Sequence, residues 1–225
     1  MNFKSININI ENSFFIKAKK FEQFRLNCKE YLDKVNMNWD KFTMVSHDSY
    51  IGYITEYAIS KHIHSIRPDI KIETWESLFD MKKIISIIER SDFSETSQLL
   101  VKNYFYDKWD LKINGIGVSL SSDVKTALTK LTPSSNWNFM YPVLQANKPG
   151  KDIMILVYYV VNDLKDLSSL KDLVLIGCCE PYKLKKCKIV KAGERTRFGT
   201  VSQIDNYITE LSTDFSKLEE YLKKI

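Results

Sequence analysis

The run Asp152–Val161 (DIMILVYYVV) constrains the fold more than any other stretch of the chain. Its apolar part is about half the length of the roughly 18 residues that a bilayer span needs. A short strand that is apolar at every position has no solvent face, so it belongs in the middle of a sheet with both sides covered. Asp172–Cys178 (DLVLIGC) reads as a second strand of the same kind. No apolar run reaches membrane length, so no membrane association is expected.

The layers that cover such a sheet precede it. Phe14, Phe15, Ala18, Phe21, Phe24, Leu26 and Leu32 recur near the helical period and predict a helix over Phe14–Val35. Ser49–Ile66, followed by Pro68, predicts a second helix, Thr74–Arg90 a third and Glu95–Tyr106 a fourth. The pattern then changes. Trp109–Ile113 alternates, Asn114-Gly115-Ile116-Gly117 is a turn signal, and Val118–Ala127 is extended. A closing helix is expected over Asp214–Lys224. Helices followed by a hairpin, further strands and a helix give an α/β fold with a mixed central β-sheet flanked by helices. The 225 residues contain no repeat and no Pro/Gly/Ser-rich linker. A single domain over 1–225 is therefore expected: a helical N-terminal part over about 1–106, a sheet core over about 107–200 and a C-terminal helix within about 202–225.

Several function classes lack their signatures. No GxGxxG and no P-loop lysine motif is present. Cys28, Cys178, Cys179 and Cys187 form no CxxC pair, and His62 and His64 lie far from them, so no zinc template appears. Few cysteines and no secretory leader suggest the cytoplasm and reduced thiols. A net charge of +5 permits an acidic partner without demanding one.

The chemistry-bearing stretch is WDLKINGIGVSLSSDVKTALTK. Asp123 and Lys125 are two apart and share a strand face. A hairpin centred between Ile116 and Gly117 sets Asp110 directly opposite Asp123; one centred on Asn114-Gly115 pairs Asp110 with Ser119 instead. In the first register the opposed carboxylates repel and call for a cation. Two carboxylates make a hard-oxygen site, suited to Mg²⁺ rather than zinc. Lys125 would stand beside it, orienting or helping to deprotonate a water, or stabilising charge on a phosphate.

Asp110, the Asp123-Val124-Lys125 triplet, the hairpin between them and the apolar strand that follows together resemble the PD-(D/E)XK nuclease superfamily. The resemblance runs over about residues 48–178 in its order of elements, with Trp109 where the name-giving proline would stand. It implies a restriction-endonuclease-like core. It also implies Mg²⁺, with Mn²⁺ as substitute, bound by Asp110, Asp123 and the main-chain carbonyl of Val124. Lys125 would serve the attacking water, and Glu56 on the second helix would be a further carboxylate. The size of the chain is similar to that of type II restriction endonucleases. These imply double-stranded DNA as substrate, a homodimer with one site per strand, and a cognate DNA methyltransferase acting on the same sequence without being bound. The alternative is a non-catalytic nucleic-acid-binding or assembly protein that keeps a nuclease-like core.

Two polar stretches are candidate DNA contacts. LTPSSNWNFMYPVLQANKPGKD reads as a long connection, with Asn136, Asn138, Lys148 and Lys151 suited to base edges or phosphates. The plainer reading is a surface loop anchored by Trp137 and Tyr141. KAGERTRFGT brings Arg195 and Arg197 together as a guanine reader or phosphate clamp, or as a basic loop balancing Glu194. Asp107 reads as a helix-end or loop carboxylate. Asp123→Ala is expected to abolish cleavage and largely spare folding, since one member of a repulsive pair leaves.

Overall fold

The computed structural model describes residues 3–7, 12–35, 46–163, 170, 172–196 and 199–225. Strand β1 (Lys4–Asn7) precedes helices α1 (Asn12–Lys34) and α2 (Ser46–Ile66). Then come β2 (Lys71–Thr74), a 3-10 turn (Trp75–Leu78), and helices α3 (Met81–Arg90) and α4 (Glu95–Phe105). The hairpin strands are β3 (Leu111–Asn114) and β4 (Ser119–Thr129), followed by β5 (Asn138–Pro142) and the single turn α5 (Val143–Ala146). The remainder comprises β6 (Ile153–Val160), β7 (Asp172–Cys179), a 3-10 segment (Pro181–Lys186), β8 (Lys188–Val190), β9 (Asn206–Glu210) and α6 (Leu218–Leu222).

Six strands form the main sheet in the order β1-β7-β6-β4-β3-β2. Only β4 and β6 run parallel, so the sheet is mixed, and helices flank it. The central position of β6 follows from its composition. Ile153, Ile155, Val157 and Tyr159 face Ile54, Ala58, Ile59 and Ile63 of α2. Met154, Leu156 and Tyr158 face the other way, onto Tyr141, Leu184, Tyr207 and Phe215. Seven of its eight residues are buried, each worth about 1.5–3 kcal/mol of apolar transfer. The layer on that second face is a small sheet of order β5-β9-β8. A third cluster ties α1 to α3 and α4 through Leu32, Ile84, Val101 and Tyr104.

Three expected elements differ. The helix expected over 74–90 is interrupted: Thr74 still pairs with Leu111 in the sheet, and Trp75 turns inward so that its indole N–H donates to the Tyr104 carbonyl (3.0 Å). Asp80 then caps α3 by accepting from the Lys82 and Lys83 amides. The part expected to be wholly helical thus contributes β1 and β2 to the sheet. The long connection before β6 contains β5, because Phe139 and Tyr141 have apolar surface to cover on the main sheet. The closing helix shrinks to α6. Ser216 exchanges two backbone hydrogen bonds with Cys178, both 2.8 Å, and this holds its backbone extended. That approach needs Gly177, at φ +144, where an added Cβ would lie 2.3 Å from the Ser216 carbonyl oxygen.

Candidate active site

The hairpin register is set by the pairing of Leu111 with Ser122 and of Asn114 with Ser119. The turn closes with Gly115 N–H on the Val118 carbonyl (2.9 Å), and Gly117 takes the left-handed conformation (φ +79). This is the first of the two registers considered; the paired ladder ends at Leu111 with Ser122, one residue short of Asp110 and Asp123. Asp110 N–H donates to the Ser122 carbonyl at 2.8 Å. Its carboxylate then accepts from Val124 N–H at 2.6 Å, taking the place of the next ladder carbonyl. In antiparallel pairing one residue's N–H and C=O face the same edge, so the Val124 carbonyl also turns toward Asp110.

The two faces of β4 divide the labour. Val124 packs with the α2 core and Thr126 Oγ1 donates to Thr55 of α2 (3.0 Å). Asp123 and Lys125 face the small sheet. Asp123 is 1% exposed. One of its oxygens accepts 2.6 Å from the Tyr141 hydroxyl and stands 3.1 Å from Lys125 Nζ. The other is ion-paired with Lys151. A cleft of about 580 Å³ opens over these groups, and Glu56, Asp107, Asp110, Lys148 and Arg25 also line it.

The two carboxylates differ in charge state. Burial, then the charges of Asp123 and Asp107, raise Asp110 to about 7. Burial also works against Asp123, but Lys125, Lys151 and Tyr141 prevail and hold it below the ordinary range. Glu56 is pushed well above its usual value by burial and by Asp110, Glu76 and Asp107. Burial disfavours the Lys125 charge, yet Asp123 and Asp110 outweigh it and keep the ammonium protonated. The cleft thus holds carboxyl groups that resist ionisation beside a carboxylate already neutralised by cations.

The expected site residues do not all come together. Asp110, Asp123, Val124, Lys125 and Glu56 all line one cleft. Lys148 is exposed at its rim. Lys151 is not a loop lysine free for DNA: its side chain is 5% exposed and bound to Asp123, because Asp152 is anchored on β4 through Ser121 (2.7 and 2.8 Å) and sets Lys151 beside it. Asn136 is exposed in the turn before β5. Asn138 and Arg195, from distant parts of the sequence, line a separate cleft of about 760 Å³ with Lys186 and Lys188. Arg197 lies outside the described residues. Asp107, read as an unremarkable loop carboxylate, lies 3.7 Å from the Arg25 guanidinium at the cleft wall. Sequence reasoning missed Tyr141, Lys151 and Arg25 as members of this site. The alternation in NFMYP was the available signal for Tyr141.

The donor set suits a hard cation, since Mg²⁺ is commonly held by one or two carboxylates with waters and phosphate oxygens completing its shell. Asp110 and Asp123 are carboxylates lining one cleft with Val124 between Asp123 and Lys125, and both Asp123 oxygens are engaged by Tyr141, Lys125 and Lys151. No three acidic, histidine or cysteine side chains converge at ligand distance among the described residues, so Glu56 stands outside the immediate set.

No protein-family profile, no curated protein and no solved structure matches the chain.

Proposed function

We propose that this chain is a Mg²⁺-dependent endonuclease with a restriction-endonuclease-like core of the PD-(D/E)XK kind, cutting double-stranded DNA at a specific site as type II restriction endonucleases do. The observation that carries the reading is the meeting of Asp110 and Asp123 in one cleft beside the β3–β4 ribbon, Asp110 accepting from the Val124 amide at 2.6 Å and Lys125 standing 3.1 Å from Asp123. The mixed sheet with helices against it also supports it.

Asp110, Asp123 and the Val124 carbonyl would hold Mg²⁺, with Mn²⁺ as substitute. Bound there, the ion supplies Lewis-acid stabilisation of the charge that grows on the phosphate oxygens. Lys125, 3.1 Å from Asp123 on the same strand face, would orient the water and stabilise negative charge on the phosphate. The water oxygen would form the new bond to phosphorus as it gives a proton to bulk water, and the bond to the 3′ oxygen would break as that oxygen takes a proton from bulk water, leaving a 5′ phosphate and a 3′ hydroxyl. Glu56 supports the cleft from α2, and Lys148 at the rim meets the incoming phosphate chain. Cutting both strands calls for two such sites and hence a homodimer. The companion of such an enzyme is a DNA methyltransferase of the same sequence specificity, acting without being bound. The setting that fits is the cytoplasm.

Digestion of supercoiled plasmid in Mg²⁺, with and without EDTA, tests the reading. EDTA-sensitive linearisation is expected, lost in Asp110→Asn. A second reading, a nucleic-acid-binding or assembly protein that does not cut, is favoured by one observation: Asp123 is already neutralised by Lys125 and Lys151. DNA binding without cleavage in Mg²⁺ and Mn²⁺ would select it.

A further inference from the structure

We propose that Lys151 is an internal counter-ion that occupies Asp123 in place of a divalent cation, and that passes to the DNA phosphate when the cation binds. The inference rests on the nuclease reading and assigns a role to a residue that reading did not use.

Lys151 is buried at the wall of the cleft. Its side chain is 5% exposed and its ammonium is paired with one Asp123 oxygen. Gln145 Oε1 lies 3.5 Å away as a weaker second partner. The other Asp123 oxygen is taken by Tyr141 and Lys125. The oxygen that Lys151 holds is therefore the one a cation would have to take. Lys125 and Lys151 are not equivalent in this. Lys125 is fixed by its place on β4, two residues from Asp123, and is 28% exposed. Lys151 enters from a connection: Gly150 before it adopts φ +85, with open space around its Cα, and Asp152 after it is anchored to Ser121. A four-carbon stem on such a pivot can swing without disturbing β4 or β6. Displaced from Asp123, the ammonium would still reach the cleft that Lys148 also lines. A phosphate chain is the partner that a displaced ammonium meets there.

A point charge held by a buried carboxylate and a divalent cation exclude one another on electrostatic grounds. The consequence is a pair of opposite effects from one residue. Removing the Lys151 charge frees Asp123 and tightens cation binding, while it removes a phosphate contact and weakens DNA binding. A residue with a merely structural role would shift both in the same direction.

The experiment titrates Ca²⁺ by calorimetry into the full chain and into Lys151→Met and Lys151→Gln, without DNA, and then measures binding of a labelled DNA duplex in saturating Ca²⁺ against salt. In both variants Ca²⁺ is expected to bind about tenfold more tightly, as loss of one desolvated competing charge implies. DNA binding is expected to weaken, with the salt slope reduced by about one, as for one phosphate contact. Unchanged or weaker Ca²⁺ binding in both folded variants, or an unchanged salt slope, overturns the proposal. Asp110→Asn and Asp123→Asn serve as controls on the underlying reading. If Ca²⁺ binds them as it binds the parent chain, the acidic pair is not the cation site, and the nuclease reading fails for a reason separate from Lys151.

Discussion

The two sheets contribute opposite halves of one site. The main sheet brings Asp110 and Asp123 together through a hairpin of local contacts, and places Lys125 on the same strand. The small sheet supplies Tyr141 from β5, and Lys151 follows on the way back to β6. Burial works against Asp123, but Lys125 from the main sheet, with Lys151 and Tyr141 from the second layer, holds it below its usual range. Burial, then the Asp123 charge, raises Asp110 to about 7. Neighbouring carboxylates of the same ribbon are thus sorted by what reaches them from elsewhere in the fold.

That division can be broken from either side. The largest effect is expected on activity: Asp110→Asn or Asp123→Asn should lower plasmid cleavage in Mg²⁺ by at least about 10³-fold, the loss of several kcal/mol of charge stabilisation. On stability the two carboxylates should part company. Asp123→Ala leaves Lys151 and the Tyr141 hydroxyl without their buried acceptor. It should cost about 3–5 kcal/mol in urea unfolding, as breaking a buried ion pair does. This reverses the expectation from sequence that Asp123→Ala spares the fold. Tyr141→Phe removes one hydrogen bond to a charged group and should cost about 1.5–3 kcal/mol.

The pH dependence sharpens the contrast. With the cleft free of metal, Asp110 has a folded-state value of about 7, above its ordinary 3.8. The folded chain therefore binds this proton more tightly than the unfolded chain. Its ionisation penalises the fold above about pH 7, and the penalty is relieved as pH falls toward 4. Asp123 is depressed, so its contribution is present above its ordinary range and is lost in acid. Thermal unfolding in EDTA from pH 4 to pH 8 should show Asp110→Asn more stable than the parent at pH 8, with the gain shrinking below pH 7 and vanishing toward pH 4. The smallest effect is reserved for Asp80→Ala, which should cost about 1 kcal/mol through loss of the α3 cap and leave the rate of plasmid cleavage unchanged.

What could be read from the sequence followed the range of the interactions. The apolar run of β6 announces a central strand because every side chain has a neighbour to cover it. The meeting of Asp110 and Asp123 is reachable because a four-residue turn joins the two strands. Tyr141 was not legible, since β5 is held in a sheet with β9, more than sixty residues further along the chain, and Lys151 was not, since its place depends on the anchoring of Asp152 on Ser121 of β4. For the same reason Thr74 looked helical. Its strand pairing with Leu111 is a long-range contact that outweighs local pattern. Ser216 likewise leaves a helical pattern for an extended bridge to Cys178.

The central claim is that Asp110 and Asp123 together hold the cation used to cut DNA. Plasmid digestion by the parent chain and by Asp110→Asn, in Mg²⁺ and in EDTA, tests it most directly. Cutting by the parent in Mg²⁺ alone, and none by the variant in either, is the outcome expected here. Equal cutting by the variant, or no cutting by the folded parent with Mg²⁺ or Mn²⁺, would contradict it.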